Sequence, residues 1–172
     1  MRFPSPRHVL VLSLLCFALT ACGGSAPPAT PSTPANASAS QEAVSRVGDV
    51  TIRATAIPTS TLSEPVARQY GIAREKDTVM LLVGVRQGEG AQETALPAKI
   101  IATASDLRGR KHVIEMRELR SGDPGSGPGQ VLLDYVGIVD VSPPDTLRFD
   151  VQVVRENGAT SQMQFSRDFY PQ

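Results

Sequence analysis

The chain is poor in the residues that most often carry chemistry. Its 172 residues include no tryptophan, two cysteines and two histidines, and 17 basic residues are balanced by 17 acidic ones. A zinc site needs several histidine or cysteine ligands, and a nucleic-acid-binding surface needs a clustered excess of basic residues. The composition therefore predicts a protein with no metal or other cofactor and no nucleic-acid partner.

An apolar run near the N-terminus ends in the four residues Leu19-Thr20-Ala21-Cys22. The run follows two arginines and spans eleven residues, whereas a membrane-spanning helix takes about 20. Such a segment is typical of a secretory signal. An ordinary secreted protein cut after Ala21 would have a small residue in place of Leu19. Leucine there, with cysteine directly after the cut, is the pattern of lipoprotein processing, so we expect residues 1–21 to be a lipoprotein signal peptide.

Lipidation of Cys22 would attach the mature protein to a membrane. Each buried methylene of an acyl chain such as palmitate contributes about 0.8 kcal/mol, so two or three chains anchor stably where one does not. The next residue is Gly23 rather than the aspartate that retains lipoproteins in the inner membrane of enteric bacteria. We therefore expect the cell envelope as the location, at the outer membrane facing the periplasm. Because Cys16 would leave with the signal peptide, the mature domain would have no thiol for a disulfide.

Residues 22–46 consist almost wholly of glycine, alanine, serine, proline and threonine. Such a segment cannot bury enough apolar surface to offset the entropy of ordering it. We predict a disordered tether that, as a flexible coil, reaches roughly 25–30 Å. Residues 47–172 remain, and they are long enough for a single domain with its own core.

Seven segments of this domain have the patterns of β-strands. Val50–Ala56 alternates apolar with polar residues, as a half-buried strand does, and Val79–Val85 and Val131–Val139 are apolar on both faces, as central strands are. The other four predicted strands are Lys99–Leu107, His112–Leu119, Thr146–Arg155 and Thr160–Phe169. Seven strands at this spacing predict an all-β, immunoglobulin-like β-sandwich, with the Gly/Pro-rich segment Ser121–Gln130 as a surface loop.

One short helix is predicted after the first strand. Ser63 is a good N-cap, Glu64 and Pro65 suit the first turn, and Gly71 ends the helix after Tyr70. We expect about two turns that close one end of the sandwich.

The last two predicted strands meet at Asn157-Gly158, a strong hairpin signal. A two-residue loop would put Val151 opposite Gln164 and mix core with solvent faces. We therefore predict an odd loop length or a bulge, and a register in which Arg148 faces Asp168.

Arg167 breaks the alternation of this hairpin, because it falls on the apolar face between Phe165 and Phe169. Two interpretations stay open. A bulge turns the side chain into solvent, or the side chain is buried at the end of the sandwich against a carboxylate or several carbonyls, since an unpaired buried charge is very costly.

Three stretches, Thr59–Arg74, Phe149 within LRFDVQV, and Phe165–Tyr170, resemble the family called domain of unknown function 4426. Its members are short secreted or lipid-anchored proteins of Gram-negative bacteria. The resemblance implies an envelope β domain, supplies no activity, and favours a buried structural role for Arg167. The chain departs from the family at Ala54–Ile57, where aromatic and asparagine residues are common. The candidate structural or contact residues in these stretches are Tyr70, Arg74, Arg167, Phe169 and Tyr170.

No known catalytic pattern stands out in the sequence. A Ser-His-Asp hydrolase would have to use His112, which lies in a predicted strand, and no G-x-S-x-G motif occurs. A carbohydrate-binding module usually presents exposed aromatic platforms, which are scarce here. We therefore expect no enzyme but a tethered interaction or envelope-assembly module whose partner is an unidentified envelope protein. The alternative is a module that binds carbohydrate or another envelope polymer, and a hydrolase ranks below both.

Overall fold

The computed structural model describes residues 42–121 and 132–171, which fold into two packed antiparallel sheets. In chain order the strands are β1 (Ala43–Val47), β2 (Val50–Pro58), β3 (Thr78–Gln87), β4 (Thr94–Ala95), β5 (Ala98–Ser105), β6 (Lys111–Ile114), β7 (Arg117–Ser121), β8 (Leu132–Asp140), β9 (Asp145–Arg155) and β10 (Thr160–Phe169). Cys22, the predicted signal peptide and most of the predicted tether and surface loop lie outside the described residues.

The larger sheet has the strand order β1-β2-β3-β8-β7, with β4 also paired to β3, and the smaller sheet has the order β10-β9-β5-β6. The prediction of an all-β sandwich is confirmed, with ten strands in the described ranges rather than about seven. Strands of both sheets place alternate apolar side chains in the space between the layers, as period-2 patterning requires. Phe149 of β9 is fully buried there, and its ring stacks on Phe165 of β10 with 5.0 Å between centroids.

Strand β1 lies partly inside the predicted tether, so the boundary placed after Arg46 is wrong. The strand pairs with β2 from Ala43 opposite Ala54 to Val47 opposite Val50, and Ala43 packs against the core between the sheets. The sequence gives little sign of this strand, because its two valines are half exposed and no apolar alternation marks it.

Helix α1 (Glu64–Tyr70) begins and ends as predicted. The Ser63 hydroxyl accepts a hydrogen bond from the Val66 backbone N–H, and Gly71 adopts the left-handed conformation that ends many helices. Its position differs from the prediction, because Ala67 packs with Met80 of β3 and other residues on the outer face of the larger sheet. Since β3 is apolar on both faces, its outward side chains need a cover, and the helix supplies it instead of closing an end of the sandwich.

The predicted strand His112–Leu119 is wrong, because the chain changes sheets within it. Strand β6 pairs with β5 in the smaller sheet, and β7 pairs with β8 in the larger one. The crossing passes close to Gly137 of β8, where an added Cβ would lie 2.5 Å from the Ile114 side chain and 2.9 Å from the Glu115 carbonyl oxygen. A side chain at position 137 would therefore block the passage from one sheet to the other.

The β9–β10 hairpin has the odd loop that the sequence predicts. The Arg155 backbone N–H donates to the carbonyl of Ala159, and Gly158 has a positive φ of 79°. Three residues therefore separate a paired Arg155 and Ala159, which sets Met163 opposite Val151.

The expected pairing of Arg148 with Asp168 is wrong, since in this register Arg148 faces Ser166. The Arg148 guanidinium donates instead to the Gln164 side chain at 2.7 Å, and Asp168 accepts from the Thr146 hydroxyl at 2.7 Å. The sequence favoured an odd loop, but the register taken from it was displaced by two residues.

Candidate functional site

The five candidate residues lie in two separate parts of the domain. Tyr70 is half buried in the cluster beneath the helix, and its carbonyl oxygen accepts a hydrogen bond from Arg117 of β7. Arg74 is exposed and donates to the Ser60 carbonyl at 3.1 Å. Tyr70 joins the helix to β7 of the larger sheet, and Arg74 joins the segment after the helix to the turn before it, so both have a structural role.

The other three candidates lie at the end of β10, an edge strand of the smaller sheet, or directly after it. Phe169 is 4% exposed and belongs to the core between the sheets, whereas Tyr170 is 66% exposed. Arg167 is half buried and lies opposite Leu147. Of the three, Tyr170 presents the most side chain to solvent.

Arg167 is not turned into solvent by a bulge, which was the first interpretation left open by the sequence. Pairing between β9 and β10 continues through Arg167 without a bulge. The guanidinium carbon lies 5.2 Å from the centroid of the Phe165 ring, and Nη1 donates to the Ser166 carbonyl at 2.9 Å. A guanidinium over a ring face is attracted by the ring quadrupole, so this side chain can lie on the apolar face of the strand.

No catalytic constellation emerges from the described residues. Within ranges 42–121 and 132–171 there is no group of three or more His, Cys, Asp or Glu residues that could hold a metal ion. In the same ranges, no helix has the length and apolar character needed to cross a membrane.

Several acidic side chains are held in ion pairs. Arg53 donates to both carboxylate oxygens of Glu93, at 3.1 and 3.2 Å, and that hydrogen bonding raises the pKa of Arg53. Burial alone would raise the pKa of Asp106, but hydrogen bonds and charge from Arg110, with a further bond from Arg108, lower it on balance. Such arrangements fix loops and strands, and the lowered pKa of Asp106 is the opposite of the raised pKa that a catalytic acid needs.

Strand β10 is the longest open edge of the described sandwich. It has ten residues and pairs with β9 alone, whereas the edge strands β1, β6 and β7 have five, four and five residues. Natural edge strands are usually protected by charged side chains, by proline, by a bulge or by short length, and β10 carries the charged residues Arg167 and Asp168 near its end. β10 contains no proline, glycine or lysine and has no bulge.

The unpaired backbone groups of this edge can be assigned from the hairpin. Because Arg155 and Ala159 form a hydrogen-bonded pair and such pairs alternate along an antiparallel ladder, Ser161, Met163, Phe165 and Arg167 direct their N–H and C=O groups toward β9. The alternate residues from Thr160 to Asp168 direct theirs away from the sheet. All five of these residues are exposed, so backbone and side chains are accessible together.

Comparison with known proteins gives a family match and a similar solved structure. The sequence profile of the domain of unknown function DUF4426 matches residues 44–172. The chain belongs to the DUF4426 family. This match begins inside β1, in agreement with the strand that the sequence reading assigned to the tether.

A crystal structure of a DUF4426 family protein from Pseudomonas aeruginosa PAO1 is similar in fold. The TM-score is 0.57 at 23% sequence identity, over 76% of this chain and 96% of that one. No curated protein matches the chain in sequence. The DUF4426 family has no assigned activity, so any function has to be argued from this molecule's own surfaces.

Of the ten residues of β10, only Arg167 and Phe169 were singled out from the sequence, and neither directs its backbone or side chain to the open edge as the alternate residues do. The polar face of the strand, formed by Thr160, Gln162, Gln164, Ser166 and Asp168, is visible as a period-2 pattern, but a pattern does not tell an edge strand from a central one. The absence of proline, glycine and lysine over ten residues was the available signal. Strand order, which the sequence does not encode locally, was the missing information.

Proposed function

We propose that this DUF4426 protein is a lipid-anchored, outer-membrane lipoprotein facing the periplasm, and that its sandwich is a non-catalytic interaction module. In this proposal another envelope protein adds an extended segment to β10. The observation that carries the proposal is the ten-residue open edge, whose backbone groups and side chains are accessible together. Strand addition of this kind gives affinity through main-chain hydrogen bonds and specificity through alternate side chains.

The anchor rests on Leu19-Thr20-Ala21-Cys22 and on the signal-like run before it. Acyl chains on Cys22 would hold the protein at the membrane, and residues 23–41 would let the sandwich reach a partner. Attachment to one surface raises the effective concentration of the module near other envelope proteins. A weak edge-to-strand contact would then be sufficient.

A second candidate function, binding of a carbohydrate or another envelope polymer, is favoured by one surface feature. A depression of about 270 Å³ on the outer face of the smaller sheet is lined in part by Asp150, Gln152, Gln162 and Gln164. Amide and carboxylate groups can bond to sugar hydroxyls, and Gln164 donates to Asp150. Glycan-array binding that is lost in Gln152→Ala, a residue of β9 and not of the edge, would support this function.

Site-specific photocrosslinking in cells tests the interaction module. A photoreactive residue at position 162 or 166 of the full-length lipoprotein should give one dominant protein adduct. The matched control is position 68, because Arg68 is exposed but lies in helix α1 and not in β10. Adducts of equal yield from position 68, or none from the edge, would overturn the proposal.

A second experiment blocks the edge without breaking the fold. Gln162 directs its N–H away from β9, so Gln162→Pro removes an outward donor and leaves the β9 ladder intact. We expect the crosslink from position 166 to fall at least tenfold in Gln162→Pro and to persist in the matched variant Gln162→Ala. Equal loss in both variants would assign the contact to the side chain and contradict strand addition.

A further inference from the structure

Resting on the proposed lipid anchor, we propose that one corner of the sandwich docks on the anionic lipid surface to which the chain is attached. This corner consists of residues 106–111, which form the turn between β5 and β6 and the start of β6, together with Tyr170 after β10. We call it the basic corner. Support comes from the way the turn displays Leu107, from the charges around that residue, and from the end at which the chain enters β1.

The turn fixes its backbone but leaves Leu107 in water. The Asp106 carboxylate accepts hydrogen bonds from the backbone N–H groups of Arg108 and Arg110, at 2.9 and 2.8 Å. The Leu107 N–H donates to Asp145 Oδ1 at 3.2 Å. Although its backbone is held in this way, the Leu107 side chain is 72% exposed. An apolar side chain that a fixed turn keeps in water is buried only by contact with something outside the domain.

Tyr170 extends the exposed surface of the basic corner. Phe169, the residue before it, lies opposite Asp145 in the pairing of β10 with β9, and Asp145 is the residue that accepts from the Leu107 N–H. Tyr170 is 66% exposed, so a leucine and a tyrosine reach solvent at the same end of the smaller sheet. Tyrosine is enriched where a membrane meets water, because its ring is apolar and its hydroxyl is polar.

The charges beside Leu107 are mainly basic. Arg108, Arg110 and Lys111 are all exposed, and the turn has a single acidic residue, Asp106, to which Arg110 Nε donates at 2.6 Å. Near a surface of anionic lipids, each basic residue contributes about a fivefold preference for the bound state. Basic side chains beside exposed apolar ones are the composition of surfaces that bind anionic membranes.

The acidic side chains at this end of the sandwich define how much of it can approach such a surface. Asp77 and Asp140 are exposed, and they lie together on the larger sheet, where the Val141 N–H donates to the Asp77 carbonyl. On the smaller sheet, Asp168 accepts from the Thr146 hydroxyl. Because anionic lipids repel these carboxylates, the contact is limited to the basic corner, with the larger sheet tilted away from the membrane.

The chain enters the sandwich on the side of the basic corner. Only four residues separate the end of β8 from the start of β9, so these strand ends lie at one end of the two sheets, as do Pro58 of β2 and the turn before β6. Strand β1 starts at Ala43, opposite Ala54 of β2, and runs away from this end to Val47. The proposed anchor at Cys22 precedes this point of entry.

A single tryptophan tests the contact, because the chain has none of its own. Leu107→Trp places an apolar reporter at an exposed position of the turn. The matched control is Glu156→Trp, since Glu156 is exposed and directly follows β9, one strand length or about 35 Å from the corner. Each full-length lipoprotein is reconstituted into phosphatidylcholine vesicles with or without phosphatidylglycerol. Brominated phosphatidylcholine then quenches a tryptophan that reaches the acyl chains.

We expect brominated lipid to quench Leu107→Trp at least twofold in vesicles that contain phosphatidylglycerol, and Glu156→Trp in neither kind of vesicle. Adding Lys111→Gln to Leu107→Trp should lower the ratio of docked to undocked protein about fivefold. Lys99→Gln, which changes an exposed lysine at the other end of β5, should leave that ratio unchanged. Equal quenching of the two tryptophans, or quenching that does not depend on phosphatidylglycerol, would overturn the proposal.

The outcomes also separate this inference from the proposed function. Flotation of the protein with the vesicles, without quenching of Leu107→Trp, keeps the anchor and overturns the docking. Quenching of a chain that mass spectrometry shows to be unacylated keeps the docking and overturns the anchor. A photocrosslink in cells from position 108 to an acidic protein, with no quenching in vesicles, assigns the basic corner to a protein partner and overturns the lipid contact.

Discussion

Arg86 of β3 and Asp134 of β8 form an ion pair, 2.5 Å from Nη2 to Oδ1, across the outer face of the larger sheet. Gly84 lies beneath it, and a methyl group there would come within 3.1 Å of Asp134 Oδ1 and 3.5 Å of Arg86 Nη1. Arg86 also donates to the Leu133 carbonyl at 2.8 Å. The glycine leaves room for a pair that joins two central strands where the helix does not cover them.

We expect Asp134→Ala to destabilise the domain by about 2 kcal/mol, because it removes a charge-assisted hydrogen bond between side chains that are 15% and 21% exposed. Urea unfolding measures the change. A double-mutant cycle with Arg86→Met should give a coupling free energy of about 1 kcal/mol or more. Strict additivity of the two substitutions would show that the pair contributes nothing.

Asp106 is expected to make stability depend on pH. Its buried side chain accepts from the backbone N–H groups of Arg108 and Arg110 and from the Arg110 guanidinium. These bonds outweigh burial, so its folded-state pKa lies below the usual 3.8. The stability that ionised Asp106 contributes is therefore present above pH 3.8 and is lost as the pH falls through the lower folded-state pKa.

Substitution Asp106→Asn tests this dependence. The variant should be less stable than the parent at pH 7, and the gap should narrow below about pH 3.8. Urea unfolding at several pH values measures the gap, and Asp140→Asn, on an exposed carboxylate, is the control. A gap that stays constant from pH 7 to pH 2.5 would contradict a role for the ionised carboxylate.

Removal of β1 should destabilise the sandwich. A chain that starts at Val47 loses the pairing of β1 with β2 and the Ala43 contact with the core. We expect a loss of about 2 kcal/mol, since net hydrogen-bond contributions of about 1 kcal/mol each are partly offset by the entropy of the freed strand. Thermal unfolding of this chain and of a chain that starts at Ser38 measures the loss of stability. Identical melting temperatures for the two chains would show that β1 does not belong to the cooperatively folded unit.

Arg167→Ala should destabilise the domain by at least about 1 kcal/mol, the scale of a partly buried cation–π contact. Substitution Phe165→Leu should remove most of the same contribution, so the two changes together should cost less than their sum. Urea unfolding of the single and double variants measures this coupling. A loss above about 3 kcal/mol would point to a buried ionic partner.

Cys22→Ala should abolish lipid attachment. We expect a fatty-acid analogue to label the parent protein and not the variant, and the variant to leave the membrane fraction, because its anchoring chains are missing. The control is Cys16→Ala, which changes only the predicted signal peptide. An unlabelled parent would remove the basis for the proposed location.

The elements predicted well are those whose burial pattern is local. Continuous or alternating apolar residues predict strands β3 and β9, and the N-cap and the terminal glycine predict α1. Strand β1 was missed because its pairing with β2, not its own composition, holds it in place. The outer-face position of the helix and the change of sheet near Glu115 depend on contacts between distant residues, which no local pattern records.

The change of sheet between β6 and β7 has a consequence for how the sandwich opens. Only Glu115 and Met116 separate the two strands, so the layers are joined by a link too short to let one swing away while the other stays paired. Local opening on this side must therefore disrupt both ladders at once. Amide hydrogens of β5 and β8, which lie in different sheets, should exchange with deuterium at matching free energies, as members of one cooperative unit.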